Sequence, residues 1–290
     1  MKIVLEQSQP FNLELTLCCG QAFRWEKLGG WWYGVVRDKV LKVRQDGETL
    51  EFENAEVDFV KEYFGLKDDL SLILSEITRD KHIEEAVKAL RGLRILRQDP
   101  WECLISYMCA TYKNIPAIKR MLFNLSRKFG KPTVLNGYTF YTFPTADKLA
   151  KANLKELAEC GLGYRAKYIF EAAKKVSSGE FNVESLKNES YAKARKTLLT
   201  LKGVGLKVAD CVSLFALEKL EAFPIDVWIK RVILKHYANH LEKEFIEKVS
   251  LRKSLTKTDY ERLSLFGRQH FGRYAGYAQE YLYHFERANL

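Results

Sequence analysis

No apolar run in the sequence approaches the ~20 residues needed to cross a bilayer, so a membrane span is not expected. The first residues, MKIVLEQSQP, lack the apolar core of a signal peptide, and a cytoplasmic protein is the expectation. Six cysteines stand at 18, 19, 103, 109, 160 and 211 with no CxxC among them. That excludes a zinc ribbon and gives no sign of a secreted disulfide framework. None follows Cys211, which excludes a C-terminal iron–sulfur cluster. Histidine is scarce. Only His236 and His240 have the one-turn spacing of a zinc pair, and they lack the glutamate of HExxH and a third ligand nearby. They read as surface or capping residues. Fixed-period repeats and low-complexity tracts are missing too, so neither a solenoid nor a disordered segment is expected.

Acidic residues are the minority among the charges. Lys and Arg number 47 against 37 Asp and Glu, a formal net charge of +10. The excess suits a polyanionic partner, nucleic acid above all, and equally an ordinary basic enzyme. Hydrophobic residues make up 47% of the 290 and aromatics 13%, enough for a full core and two domains.

The first third reads as an antiparallel sheet. Between Ala22 and Glu53, short runs rich in Val, Trp, Tyr and Phe are separated by Gly-Gly, Arg-Asp and Asp-Gly, which is hairpin chemistry. Alternation in Leu41-Lys42-Val43-Arg44 predicts one buried and one wet face. From about Asp80 the pattern becomes helical. HIEEAVKALRGLRIL repeats apolar residues at steps of three and four, and Asp99-Pro100 opens another helix. Further helices are expected over 115–129, 145–159, 165–177 and 191–199. Another is headed by the N-cap Asp226, and the last contains Tyr274, Tyr277 and Tyr281 on one core-packing stripe. The fold class expected is α+β, with a sheet domain over 1–80 and a helical domain over 81–290.

One short stretch carries chemistry. In Leu201-Lys202-Gly203-Val204-Gly205-Leu206-Lys207, a Gly-x-Gly turn between two helices would present free backbone N–H groups at a helix N-terminus. Such a corner binds a phosphate without reading sequence. An ordinary helix–helix connection has the same spacing. Lys207 follows at the mouth of the helix. An ordinary lysine titrates near ~10.4, so nucleophilic use requires burial or a positive neighbour to lower that value. The other reading of Lys207 is a phosphate-binding point charge. Asp226 lies nineteen residues further on, in Pro224-Ile225-Asp226-Val227.

This pattern resembles the helix-hairpin-helix DNA glycosylase superfamily, whose lysine-bearing members are both glycosylases and strand-nicking lyases. CGQAFRW at 19–25, GLGYRAKY at 161–168, GVGLKVADC at 203–211 and FGRYAGYAQEYLY at 271–283 narrow the resemblance to the 8-oxoguanine DNA glycosylase family. The four motifs fall in family order along nearly the whole chain. The resemblance implies a helical domain of that type and duplex DNA containing 8-oxoguanine as substrate. It implies Lys207 as the nucleophile that attacks the sugar C1′, forming a Schiff base before β-elimination. Asp226 would stabilise the oxocarbenium-like charge while capping its helix.

For the damaged base, the resemblance implies that the Gly20 carbonyl accepts the N7–H of 8-oxoguanine, a hydrogen that guanine lacks. Gln279 would meet the Watson–Crick edge, and Cys211 and Tyr283 would sandwich the ring. From the residues alone, Cys211 could equally be a small core hydrophobe, and Tyr283 a packed aromatic. Gly203, Val204 and Gly205 would hold the strand. Tyr164 would wedge into the stack, and Arg165 would donate to the opposite cytosine. A cation at the hairpin would use the carbonyls of Leu199, Leu201 and Val204. No cofactor and no catalytic metal are expected. The short length and absent targeting segments suit a prokaryotic, nucleoid-associated protein, expected to be a monomer.

The sequence departs from the family in TYKNIPAIK at 111–119. Tyr112 stands where an asparagine is usual and Ala117 where an arginine is usual. Discrimination for the opposite base is therefore expected to be weak. Trp228 replaces a histidine two residues after Asp226, which removes one phosphate contact. Two other functions share parts of this pattern: a glycosylase for another purine lesion, and a DNA-structure binding module without catalysis.

Overall fold

A computed structural model of the protein describes residues 1–288. Five strands form one antiparallel sheet in the order β1-β5-β4-β3-β2: β1 (Lys2–Val4), β2 (Trp25–Leu28), β3 (Trp31–Val36), β4 (Lys39–Asp46) and β5 (Thr49–Glu53). The turns between β2 and β5 fall at Gly29-Gly30, Arg37-Asp38 and Gly47-Glu48. Gly29, Gly30, Arg37 and Gly47 all take positive φ there. Two-residue turns of that hand match the twist of the strands they join. One face packs Trp25, Leu41, Val43, Leu50 and Phe52 against Phe11, Val60 and Phe64.

The other face is not left to water as expected. A second hairpin, β6 (Pro132–Leu135) and β7 (Tyr138–Tyr141), lays Leu135 and Phe140 over Tyr33, Val35 and Val40. Tyr33 and Phe140 stack with centroids 5.5 Å apart. Lys42, expected in solvent, is buried with its Nζ 4.3 Å from the Trp31 ring centroid and bonded to Glu53. A local alternation cannot foresee a roof supplied from ninety residues away.

Helices begin earlier than Asp80. After α1 (Leu13–Cys18) come α2 (Val57–Tyr63) and α3 (Leu70–Ile77), too short to show much periodicity. Next is α4 (Lys81–Ala89), which stops well short of Leu96. Gly92 takes φ +90° there and lies so close to Phe11 and Asn12 that a Cβ would meet the Asn12 nitrogen at 2.8 Å. The fully buried Arg94 then gives its guanidinium N–H groups to the carbonyls of Pro10, Gly65 and Asp68. Buried backbone carbonyls need such donors, and a helix through Arg94 would have withdrawn them.

The remaining helices are α5 (Pro100–Ala110), α6 (Ile115–Phe129), α7 (Ala146–Lys151), α8 (Leu154–Leu157), α9 (Arg165–Ser177), α10 (Tyr191–Leu198), α11 (Leu206–Phe215), α12 (Val227–His236), α13 (Lys243–Ser250), α14 (Lys257–Phe271) and α15 (Ala275–Ala288). The helix expected over 145–159 is thus two, because Asn153 starts α8 afresh with a capping box to Glu156. Helix α15 is the hub. It packs against α3, α4, α12 and α14, and its Tyr277 and Tyr281 are wholly buried, as the tyrosine stripe predicts, whereas Tyr274 lies just before the helix and is only partly buried.

Candidate active site

The hairpin lies between α10 and α11. Gly203 takes φ +85°, and a Cβ there would stand 2.7 Å from the Tyr168 ring, so both conformation and packing require glycine. Gly205, the N-cap of α11, has nothing within 4 Å of where its Cβ would be and caps without a side chain. The first amides of α11 therefore face open space, where an anion can reach them. The Val204 amide closes the turn onto the Leu201 carbonyl at 3.1 Å.

Lys207, in the first turn of α11, turns inward. Its Nζ lies 5.3 Å from the centroid of the Tyr107 ring. Asp226 caps α12 through Oδ1, which accepts the amides of Trp228 and Ile229 at 2.9 and 2.8 Å. Burial raises the Asp226 carboxyl above the usual carboxylate range, against the pull of those amides and of Lys207. Both residues line a cavity of about 380 Å³. Gly20, Cys211, Gln279 and Tyr283 line it as well. Residues from 20 to 283 thus converge on one space, large enough for a purine.

Gly20 reaches the cavity because Gln21 is pinned. The buried Gln21 amide donates to the carbonyls of Thr16 and Arg94 and accepts from the Leu96 amide, all within 3.0 Å. Gly20 itself takes φ +104°, and a Cβ there would crowd the Arg287 guanidinium at 2.8 Å. Cys211 is buried one helical turn after Lys207, and its thiol is pushed up to about 12 by burial, against Lys207, which opposes the rise. Gln279 is buried with Oε1 lacking a partner among the described residues. The Tyr283 hydroxyl accepts from Arg287 at 3.0 Å, and burial raises its pKa.

Around the cavity mouth the picture differs from expectation. Tyr164 is 60% exposed, available to a stack. Arg165, expected to face the opposite base, folds inward instead. It is 4% exposed, its Nη2 donates to the Thr111 carbonyl, and its Nε has no partner among the described residues. Tyr112 is 86% exposed, and Trp228 lines the cavity.

Two cavity residues, Glu280 inside the last motif and Arg287 beyond it, have no role in the sequence reading. Glu280 is buried beside Gln279, and burial pushes its carboxyl up to about 7. Arg287 joins the C-terminal end of α15 to the Cys18 carbonyl at 2.7 Å. His236 is exposed in the last turn of α12, as expected of a surface residue. Its ring stacks on that of His82 with centroids 3.5 Å apart, and the Glu286 carboxylate lies near both. One donor atom from each of the three lies within 4.8 Å of the others. They lie outside the cavity lining.

Comparison with known proteins agrees with this architecture. The model of the 8-oxoguanine DNA glycosylase N-terminal domain matches residues 2–104. That of the HhH-GPD superfamily of base excision DNA repair proteins matches residues 105–254. The chain is 34% identical to an N-glycosylase/DNA lyase of Saccharomyces cerevisiae, over 97% of this chain and 85% of that protein. It superposes with TM-score 0.87 on MBOgg1 solved with a low-affinity DNA ligand, at 37% identity, covering 99% and 96% of the two chains. A Clostridium acetobutylicum 8-oxoguanine glycosylase/lyase, bound to duplex DNA with cytosine opposite 8-oxoguanine, gives 0.85 at 34% identity, covering 96% and 92%.

Proposed function

The chain belongs to the 8-oxoguanine DNA glycosylase family, and on that premise we propose that it excises 8-oxoguanine from duplex DNA and nicks the strand, with Lys207 as the nucleophile. The observation that carries the reading is the convergence of Lys207, Asp226, Gly20, Cys211, Gln279 and Tyr283 on one cavity.

The hairpin at 203–205 and the bare N-terminus of α11 grip a phosphate of the damaged strand. A cation bridging the carbonyls of Leu199, Leu201 and Val204 to that phosphate would add to the grip. The lesion swings out of the stack into the cavity, at the cost of a few kcal/mol of unstacking. There Gly20 accepts its N7–H, Gln279 pairs with its Watson–Crick edge, and Cys211 and Tyr283 close on its faces. The Lys207 nitrogen bonds to C1′ as the bond to N9 breaks, and Asp226 stabilises the positive charge that develops on the sugar. The Schiff base then directs β-elimination of the 3′ strand. Action as a monomer is part of this proposal. No helix is long and apolar enough to cross a membrane among the described residues.

Borohydride trapping tests this reading. Wild-type protein on duplex DNA carrying 8-oxoguanine should become covalently linked to the strand. Lys207→Gln should bind the same DNA and trap at under about a hundredth of that yield. Full trapping by Lys207→Gln would mean that another amine is the nucleophile.

A further inference from the structure

The cavity contains a second carboxyl group, which the mechanism above does not use. Glu280 sits in the second turn of α15 and lines the same space as Lys207 and Asp226. Five elements surround it. Cys19 comes from the end of α1, Tyr107 from α5, Lys207 and Cys211 from α11, Asp226 from the start of α12, and Tyr283 and Arg287 from α15 itself.

The two carboxyls are treated unequally. Asp226 Oδ1 accepts two amides at a helix N-terminus, which stabilises an anion. Glu280 Oε1 is buried and has no hydrogen-bond partner among the described residues. The two carboxylates share the cavity with Lys207 and Arg287, and Glu280 has the weaker set of donors, the Cys19 thiol in place of two helix amides, so a shared proton settles on Glu280. Burial holds Glu280 as an acid close to neutral pH. Asp226 keeps the negative charge.

We propose that Glu280 is the proton relay of base release: its carboxyl hydrogen passes to the departing purine, and its carboxylate then takes the proton shed by the Lys207 nitrogen. This rests on the glycosylase reading above. As C1′–N9 breaks, the bonding pair leaves with the base and the Glu280 proton joins it. The Lys207 amine forms its bond to C1′, becomes a secondary ammonium, and loses one proton to the Glu280 carboxylate. The acid is restored, the base leaves neutral, and the amine stays attached to the sugar. No external acid is needed while the base plugs the cavity. On a pre-formed abasic site no base has to leave, and water can enter to exchange protons in place of Glu280.

Single-turnover excision from 8-oxoguanine duplex, measured after alkaline strand cleavage, is the test. Glu280→Gln keeps size and shape but cannot exchange a proton. It should excise about 100-fold more slowly at neutral pH, the usual scale of general acid catalysis. Borohydride trapping of the same variant on abasic duplex should fall less than about fivefold. Wild-type excision should decline on the alkaline side as Glu280 ionises, and that limb should be missing from the variant. Equal excision by both proteins, a wild-type profile without the alkaline limb, or equal loss of excision and abasic trapping would each overturn the proposal. A wild-type enzyme that leaves 8-oxoguanine in place removes the premise instead, and the relay with it.

Discussion

Tyr112 holds a backbone φ of 54° while 86% of its surface is exposed. The left-handed region costs an aromatic residue about 1–2 kcal/mol, and an exposed ring gains no burial to offset it. Its neighbour Thr111 accepts the guanidinium of Arg165, which brings the end of α5 against the start of α9 and its exposed Tyr164. Two exposed tyrosines thus stand on the two elements that Arg165 joins. Ala117 is too short to donate, and Arg165 is turned inward. Each good hydrogen-bonded base contact carries ~1–3 kcal/mol of discrimination. Excision opposite cytosine should therefore exceed excision opposite adenine by no more than about tenfold, in single-turnover kinetics against all four bases. A preference beyond about a hundredfold would show that Arg165 swings out and reads the base after all.

At the scale of elements, the hairpin depends on what lies behind it. Asp210, wholly buried in α11, accepts from Arg195 of α10 at 2.6 Å and from Tyr191 and Tyr260 at 2.7 Å each. Arg195 also reaches Glu261 of α14 at 3.0 Å. One carboxylate therefore locks both arms of the hairpin to a third helix, and Lys207 sits one turn away on the same helix. Removing one partner of a buried ion pair costs about 3–5 kcal/mol, because the remaining charge is left without compensation. Asp210→Asn should lower unfolding stability by roughly 3 kcal/mol in urea and weaken Lys207 trapping through misplacement of the amine. A change under about 0.5 kcal/mol would mean that apolar packing alone sets the hairpin.

For the whole molecule, the net charge of +10 bears on association with DNA. Each phosphate neutralised releases condensed counterions, so affinity falls steeply with salt. If the hairpin and neighbouring lysines meet about four phosphates, the binding constant should drop roughly 100-fold between about 50 and 200 mM salt. Fluorescence anisotropy on undamaged duplex would measure it, and a nearly flat response would assign the charge excess to something other than DNA. The division into sheet and helices matters here as well. The sheet side contributes Gly20 and Phe23 to a cavity otherwise built by helices, so lesion recognition requires both parts in register.

The sequence by itself determined the features that rest on short-range physics. Positive-φ turns at Gly-Gly and Asp-Gly, the Gly-x-Gly corner with its lysine, the cap Asp226 and the tyrosine stripe of α15 each depend on a few neighbouring residues. Only the tertiary structure decided which way Arg165 points, what covers the second sheet face, that His236 meets His82, and that Glu280 shares a cavity with Lys207. Helix α15 is enclosed on nearly every side, so its periodicity does not distinguish a core position from one facing substrate. Which polar residue ends up beside the reacting atoms was settled by helices that are distant in sequence, packing around it.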